Sequence, residues 1–285
     1  MPTRHERVSD DIYVFTSNLY AEVTASVIFT KAGAVVVDTL PFPQESRELQ
    51  GFVRSHGANG VCYVINTHFH ADHTYGSYLF PEAELVAHRR CRDLQVRYGE
   101  AALVAAKEET LELAEVQIRL PGITFDGSRM ILRLGGKTIV LSHAPGHSPD
   151  LATVYVKEDK VLIASDLMMP VPYVVQGDVD AYIQSLEQLQ SLPVESLVQG
   201  HGDVLLRGEI DEAVQSSIIY LQTIQKVVAD AIARGLPRKT LLQIDIVSCG
   251  KSRVPLGGLV QRLHEANLLD LYDRMVSGKM QKAVS

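Results

Sequence analysis

The 285-residue chain contains no tryptophan and only three cysteines, Cys62, Cys91 and Cys249. They are far apart and none forms a Cys-x-x-Cys pair. This excludes a disulfide framework and a thiolate zinc site, and fits a reducing compartment. Basic residues are in the minority, with Lys+Arg 27 against Asp+Glu 34 and a formal charge of −7. A surface field of that sign repels a polyanion, so no nucleic-acid partner is expected. No apolar run reaches the roughly 18 residues that a membrane span needs. The opening Met-Pro-Thr-Arg-His-Glu-Arg has no apolar segment behind its charges. A cytoplasmic protein without a membrane partner is therefore expected. Internal repeats and low-complexity tracts are also missing. What remains, 46% hydrophobic and 21% charged residues, is the composition of a soluble globular chain. Its length allows one large domain or a domain with an appendage.

Strand-like segments open the chain at 12–16, 24–30 and 34–38, with Lys31-Ala32-Gly33 as a turn between the last two. A helix is expected over 43–56. It has proline near its first turn, Leu49, Phe52 and Val53 on one face, and Gly57 just past its end. The run 61–66 is short, β-rich and nearly all apolar, as in a strand covered on both sides. A short strand at 84–87 precedes a stretch over 89–116 rich in Ala, Leu, Glu and Arg, mostly helical with a break at Gly99. Strands follow at 129–134, 137–143, 152–156 and 161–164, with Gly135-Gly136 and Glu158-Asp159 as hairpin turns. Asp178 opens a helix running to Leu192, and 196–198 is one more brief strand. Beyond Arg207 strand alternation stops, and 209–234 and 257–276 carry helical apolar spacing. The reading is an α/β domain over 1–207 and a C-terminal α-helical extension over 208–285. Hairpins followed by helices in both halves suit two sheets packed face to face with helices outside.

Half of the ten histidines fall at His68, His70, His73, His147 and His201. The string His68-x-His70-x-Asp72-His73 follows a strand. Residues two apart in an extended segment point the same way, so His68 and His70 can present two imidazoles to one ion. Asp72 and His73 lie further round the bend and can face a second. Three more strand-like segments end in the same kind of group. They run into His143-Ala144-Pro145-Gly146-His147, into Ser165-Asp166 and into Gln199-Gly200-His201-Gly202. Ligands of α/β sheets gather beyond the carboxyl ends of strands, so four such ends imply one shared site. Glycine and proline beside His147, and glycine on both sides of His201, permit tight turns that aim those side chains.

With these residues in place, the sequence resembles the metallo-β-lactamase fold superfamily of metallohydrolases over about residues 10–205, in the family's motif order. The resemblance implies a four-layer αβ/βα sandwich carrying a C-terminal α-helical extension. It also implies that His68, His70 and His147 bind one metal ion, that Asp72, His73 and His201 bind a second, and that Asp166 bridges the two. Asp38, which ends Val35-Val36-Val37, matches an early strand-end aspartate that supports the histidine loop from behind the ligands. Broad-spectrum zinc β-lactamases carry cysteine at the position of Asp166, which turns the reading towards the glyoxalase II, lactonase and general hydrolase branches. Flavo-diiron members have glutamate where this chain has His70. Imidazole and carboxylate donors suit zinc, iron or manganese, and zinc is the default.

The implied chemistry is that of a binuclear zinc-dependent hydrolase attacking a carbonyl ester, lactone or thioester. Its nucleophile would be a hydroxide held between ions about 3.5–4 Å apart. Asp72 would orient that hydroxide or relay its proton. Tyr173 would assist the oxyanion, as a tyrosine does in some lactonases of the superfamily. β-Lactam hydrolysis, as main or side activity, is an alternative, since the same attack opens an amide ring. An iron-dependent oxygenase or redox member of the fold is another. The substrate would be a small molecule, and the sequence leaves the oligomeric state open, a homodimer included. The apolar segment 167–175 directly follows Asp166 and is expected to line the site. Tyr220, Arg262, His264 and Tyr272 on the appended helices could cap it. The charged stretch 89–116 is either a solvated face or a lid over the substrate. His143 reads as a hydrogen-bonded strand residue rather than a ligand.

Overall fold

The computed structural model describes residues 3–57 and 59–278. Strands β1 (Arg4–Arg7), β2 (Ile12–Thr16), β3 (Thr24–Thr30), β4 (Gly33–Val37), β5 (Val61–Ile65), β6 (Glu84–His88) and β7 (Ile123–Phe125) form a seven-stranded sheet in sequence order. Its first three pairings are antiparallel and its last three parallel. The parallel steps are crossed by helix α1 (Pro43–Ser55), by α2 (Ala71–Thr74) with a 3₁₀ turn, and by α3 (Arg89–Leu94) and α4 (Glu100–Glu109). The second sheet has six strands: β8 (Arg129–Leu134), β9 (Lys137–His143), β10 (Ala152–Val156), β11 (Val161–Ser165), β12 (Ser196–Gln199) and β13 (Val204–Leu206). Only β11 and β12, joined through α5 (Val179–Leu189), run parallel in it. Helices α6 (Arg207–Ala233) and α7 (Leu259–Val276) are the last helices among the described residues.

Strand alternation sorts the side chains into layers. Val35, Val37, Ile139, Leu141, Val154, Ile163 and Val198 meet between the sheets. Ala34, Val36, Val64 and Leu85 face outward onto Leu49 and Val53 of α1. Val140, Tyr155, Leu162 and Leu197 face the opposite exterior, where α5, α6 and α7 cover them in one continuous apolar cluster. The four-layer αβ/βα sandwich with a C-terminal helical region is thus present.

Several elements differ from the sequence reading. Strands β1, β7 and β13 are additional; β1 is Arg-His-Glu-Arg, exposed at all four residues, and has no apolar face to announce it. The stretch 89–116 is segmented: α3 is followed by a π-helical turn, Gln95–Gly99, and α4 by a 3₁₀ turn, Leu111–Leu113. The helix opened by Asp178 ends at Leu189. Two 3₁₀ turns, Arg238–Gln243 and Ile246–Cys249, fill the space between α6 and α7.

Strands β9, β11 and β12 all point their carboxyl ends to one edge of the second sheet. That edge is tied to the first sheet by backbone bonds from Thr24 N to Gly200 O (2.9 Å) and from Ala152 N to Thr67 O (2.8 Å). The loops that follow β4, β5, β9, β11 and β12 therefore meet.

Candidate metal centre

All seven residues implied as ligands meet in this place. His70 Nδ1 lies 3.0 Å from His68 Nε2 and 2.9 Å from His147 Nε2. The Asp166 carboxylate stands at the centre. Its Oδ2 is 3.2 Å from His147 Nε2 and 3.7 Å from His68 Nε2, while its Oδ1 is 3.2 Å from His73 Nε2 and 3.6 Å from His201 Nε2. Asp72 Oδ2 is 3.4 Å from His201 Nε2 and 3.8 Å from His73 Nε2. The donors thus fall into two groups, His68, His70, His147 and Asp166, and Asp72, His73 and His201. Within each group they lie within 4.8 Å of one another.

Hydrogen bonds behind the imidazoles fix their tautomers. His147 Nδ1 is 2.8 Å from the Tyr173 carbonyl and His201 Nδ1 is 2.9 Å from the Ala21 carbonyl. A carbonyl only accepts, so each Nδ1 carries a proton and each Nε2 is the nitrogen turned to the cluster. His73 Nδ1 donates in the same sense to Asp38 Oδ2 at 2.9 Å. Thr67 gives its hydroxyl proton to Asp38 Oδ2 (2.7 Å), so its oxygen accepts from His68 Nδ1 at 3.1 Å. Five imidazoles and two carboxylates therefore converge in a buried space, where His73 Nε2 and Asp166 Oδ1 face each other at 3.2 Å with no other hydrogen-bond partner. Such a surplus of acceptors calls for a cation, and the nitrogen and oxygen donors fit a divalent metal.

The electrostatics divide along the same line. Burial, with neighbouring imidazoles, holds His68 well below its ordinary pKa and His70 down at about 3, and burial also lowers His147. Burial opposes charge on His73 and His201 too, but there the carboxylates win. Asp166, Asp72 and Asp38 raise His73 well above its usual range, and Asp166 with Asp72 holds His201 up at about 10. The same imidazoles overcome burial to depress Asp72 to about 2 and Asp166 well below the carboxylate range.

Asp38 and Ser165 adopt left-handed backbone conformations, φ 57° and 50°, that non-glycine residues rarely take. Asp38 Oδ1 accepts from Thr67 N (2.8 Å) and Ser165 Oγ lies 2.8 Å from Thr67 Oγ1, so one network orients His68 and His73 together. The glycine before His201 serves close approach rather than a turn: a Cβ on Gly200 would lie 1.8 Å from Asp166 Oδ1.

A cavity of about 280 Å³ opens over the cluster, with Tyr20, Asp72, Met169, Tyr173, Leu259 and Leu263 among its walls. Tyr173 also borders a second, larger cavity, whereas Leu167, Met168, Val171 and Val174 of the same segment point into the core. The appended helices reach the site through leucines. Tyr220, Arg262, His264 and Tyr272 border neither of these cavities; Tyr220 and His264 are buried and lie 2.9 Å apart, Oη to Nδ1. His143 stacks on His88 at 4.1 Å and holds the Pro149 carbonyl at 2.9 Å. Sequence reasoning missed Tyr20. Its phenol is pushed up to about 12 by the Asp72 carboxylate and by burial. It is placed by a loop in which Ala21 and Glu22 have φ of 46° and 52°, and no motif marks that loop.

The sequence profile of the Metallo-beta-lactamase superfamily matches residues 21–201, a span that contains all seven clustered residues. A thioesterase of Emericella nidulans is 22% identical over 224 residues, covering 78% of this chain and 55% of its own. The chain spans about half the length of the first curated relatives it matches. Among solved structures, a metallo-β-lactamase from Pontibacter korlensis shares 18% identity with a TM-score of 0.63, over 77% of this chain and 99% of its own. A sec-alkylsulfatase from Pseudomonas sp. shares 15% identity with a TM-score of 0.74, over 95% of this chain and 50% of its own. The larger share of the chain covered shows that the C-terminal helices also have structural counterparts. By fold and by sequence, this chain belongs to the metallo-β-lactamase superfamily.

Proposed function

We propose that the chain is a metal-dependent hydrolase that holds two divalent ions, zinc by its donor chemistry, and opens a small carbonyl ester, lactone or thioester. The observation that carries this reading is the placement of Asp166. One of its oxygens faces His68 and His147 and the other faces His73 and His201, as a ligand shared by two ions requires. His68, His70 and His147 would hold one ion, Asp72, His73 and His201 the other. Ions bound there supply a nucleophilic water at neutral pH and a Lewis acid for the carbonyl oxygen.

The chain's own groups do the rest. Asp38 and the carbonyls of Ala21 and Tyr173 keep the imidazoles turned with bare nitrogens inward. Asp72, in the wall of the smaller cavity, is positioned to accept a proton. Tyr173 is a residue of the same wall, and its phenol would donate to the carbonyl oxygen as negative charge develops. The name of the thioesterase relative supports acyl transfer to water.

The test is metal analysis together with a hydrolysis panel of lactones, thioesters, esters, β-lactams and phosphodiesters, repeated after chelation and after zinc or iron re-addition. Two equivalents of metal and one chelator-sensitive carbonyl class are expected. A single equivalent with oxygen consumption by iron-loaded protein would overturn the reading. Asp166→Asn should lower metal occupancy and cut turnover by orders of magnitude. Wild-type metal content in that variant would remove the shared-ligand assignment.

A further inference from the structure

The second cavity, about 760 Å³, shares His70, Ala71 and Tyr173 with the smaller one. Of the clustered residues, His70 stands where the two join, and Asp72, His147, Asp166 and His201 line the smaller cavity alone. Its far wall is built by the segmented helix: Leu94 of α3, Tyr98 of the π-helical turn, and Ala101 and Ala102 of α4, backed by Ile118. Its polar side chains are His70, Thr74, Gln95, Gln176 and the three tyrosines Tyr75, Tyr98 and Tyr173, and among the described residues no aspartate, glutamate, lysine or arginine lines it. Two guanidinium groups come near without entering the wall. Arg90 donates to the Pro149 carbonyl at 3.4 Å, and Arg97 lies 5.0 Å over the Tyr98 ring. A charged group placed there would lose hydration with no counter-charge to replace it, whereas hydrocarbon gains with every methylene buried. The volume matches that of small-molecule sites.

We infer that this cavity holds an uncharged hydrocarbon arm of the substrate whose carbonyl is opened at the cluster. The inference rests on the hydrolase reading and narrows it to neutral esters, lactones or thioesters with a medium or long aliphatic chain, and it makes Ala101 and Ala102 determinants of chain length.

Metal-loaded protein is assayed with ethyl acetate, ethyl decanoate and decyl acetate, so that the chain is offered on either side of the carbonyl. At least one of the two ten-carbon esters should exceed ethyl acetate by tenfold or more in kcat/KM. The same ester ending in a carboxylate, monoethyl sebacate or 10-acetoxydecanoate, should lose that advantage. Ala102→Trp, and the milder Ala101→Leu, should lower the long-to-short ratio at least tenfold and at least threefold respectively. A preference for ethyl acetate, an equal rate on the carboxylated ester, or an unchanged ratio in both variants would overturn the inference. A second readout is independent of turnover: 1-decanol should raise the Tm of the wild type but not of Ala102→Trp, and equal shifts would also overturn it. If no ester, lactone or thioester is hydrolysed while the decanol shift is present and lost in the variant, the hydrolase reading fails and the cavity assignment stands.

Discussion

At Gly200 a single methyl group has nowhere to go. The added Cβ would meet the Asp166 carboxylate at 1.8 Å and its backbone nitrogen at 2.7 Å, so Gly200→Ala must displace the central carboxylate. Metal content by elemental analysis should fall in that variant; full occupancy would show that the loop yields. Tyr173→Phe is the opposite case, because the backbone carbonyl that holds His147 survives. It should slow turnover about a hundredfold with metal content unchanged. Asp38→Asn weakens the acceptor behind His73 and Thr67 and should reduce metal affinity about 10–100-fold, read by competition with a chromophoric chelator. His201 gives a pH signature. In the metal-free protein burial opposes its charge, but Asp166 and Asp72 hold its pKa at about 10, above the unfolded value of about 6.5. The resulting stability is fully present below about pH 6.5 and is lost as pH rises towards 10. Chelated protein should therefore lose Tm across that window. Metal loading at about pH 7.5 should release protons, because a metal needs the bare nitrogen. Calorimetry in buffers of different ionisation heat counts them, and no release would contradict the assignment. The five histidines and two aspartates of this cluster were legible because each closes a strand or follows its turn. Tyr20 was not, since a strained two-residue turn, invisible in residue types, brings it there.

Among the elements, α5 shows what a local signal can fix. Asp178 Oδ1 accepts from Ala181 N at 2.8 Å, capping the helix that the aspartate announced. Asp178→Ala should cost about 1 kcal/mol, visible as a lowered denaturation midpoint with unchanged slope. The long strands were equally legible, because alternation or continuous apolar character states which faces are covered. Strands β1, β7 and β13, of four, three and three residues, are too short to show a period, and partner strands alone define them. The stretch 89–116 reads as helix by propensity, yet its π-helical turn reflects what surrounds it. Gln95 is buried there, while Val96 is 61% exposed, and Gln95, Tyr98 and Gly99 of the turn line the larger cavity.

For the whole molecule, the boundary after residue 207 is a change of pattern, and the apolar core runs across it. Val179 and Leu186 of α5, Leu162 and Leu197 of the second sheet, Val214 and Leu221 of α6 and Leu268 of α7 share one cluster. We propose that residues 208–285 form an extension whose stability is inseparable from residues 1–207. A chain ending at Arg207 should expose this face and fail to unfold cooperatively; a sharp, reversible transition from it would establish an independent domain. The extension also closes the smaller cavity with Leu256, Leu259 and Leu263, an apolar contribution that its polar residues had not foretold.

The sequence by itself determined the layers and the chemistry of the donors. Both are carried by local order: apolar periodicity sets which face of each strand is buried, and a histidine or aspartate in the turn that follows a strand sits near that strand's end. The tertiary structure alone decided what depends on distance between remote parts of the chain. That includes the two oxygens of Asp166 facing different imidazole sets, the carbonyls of Ala21 and Tyr173 that hold the Nδ1 protons, and the open cavity lined from residues 69–75, 94–102 and 173–176. These are three-dimensional coincidences of segments tens of residues apart, and only packing of the two sheets brings them within reach.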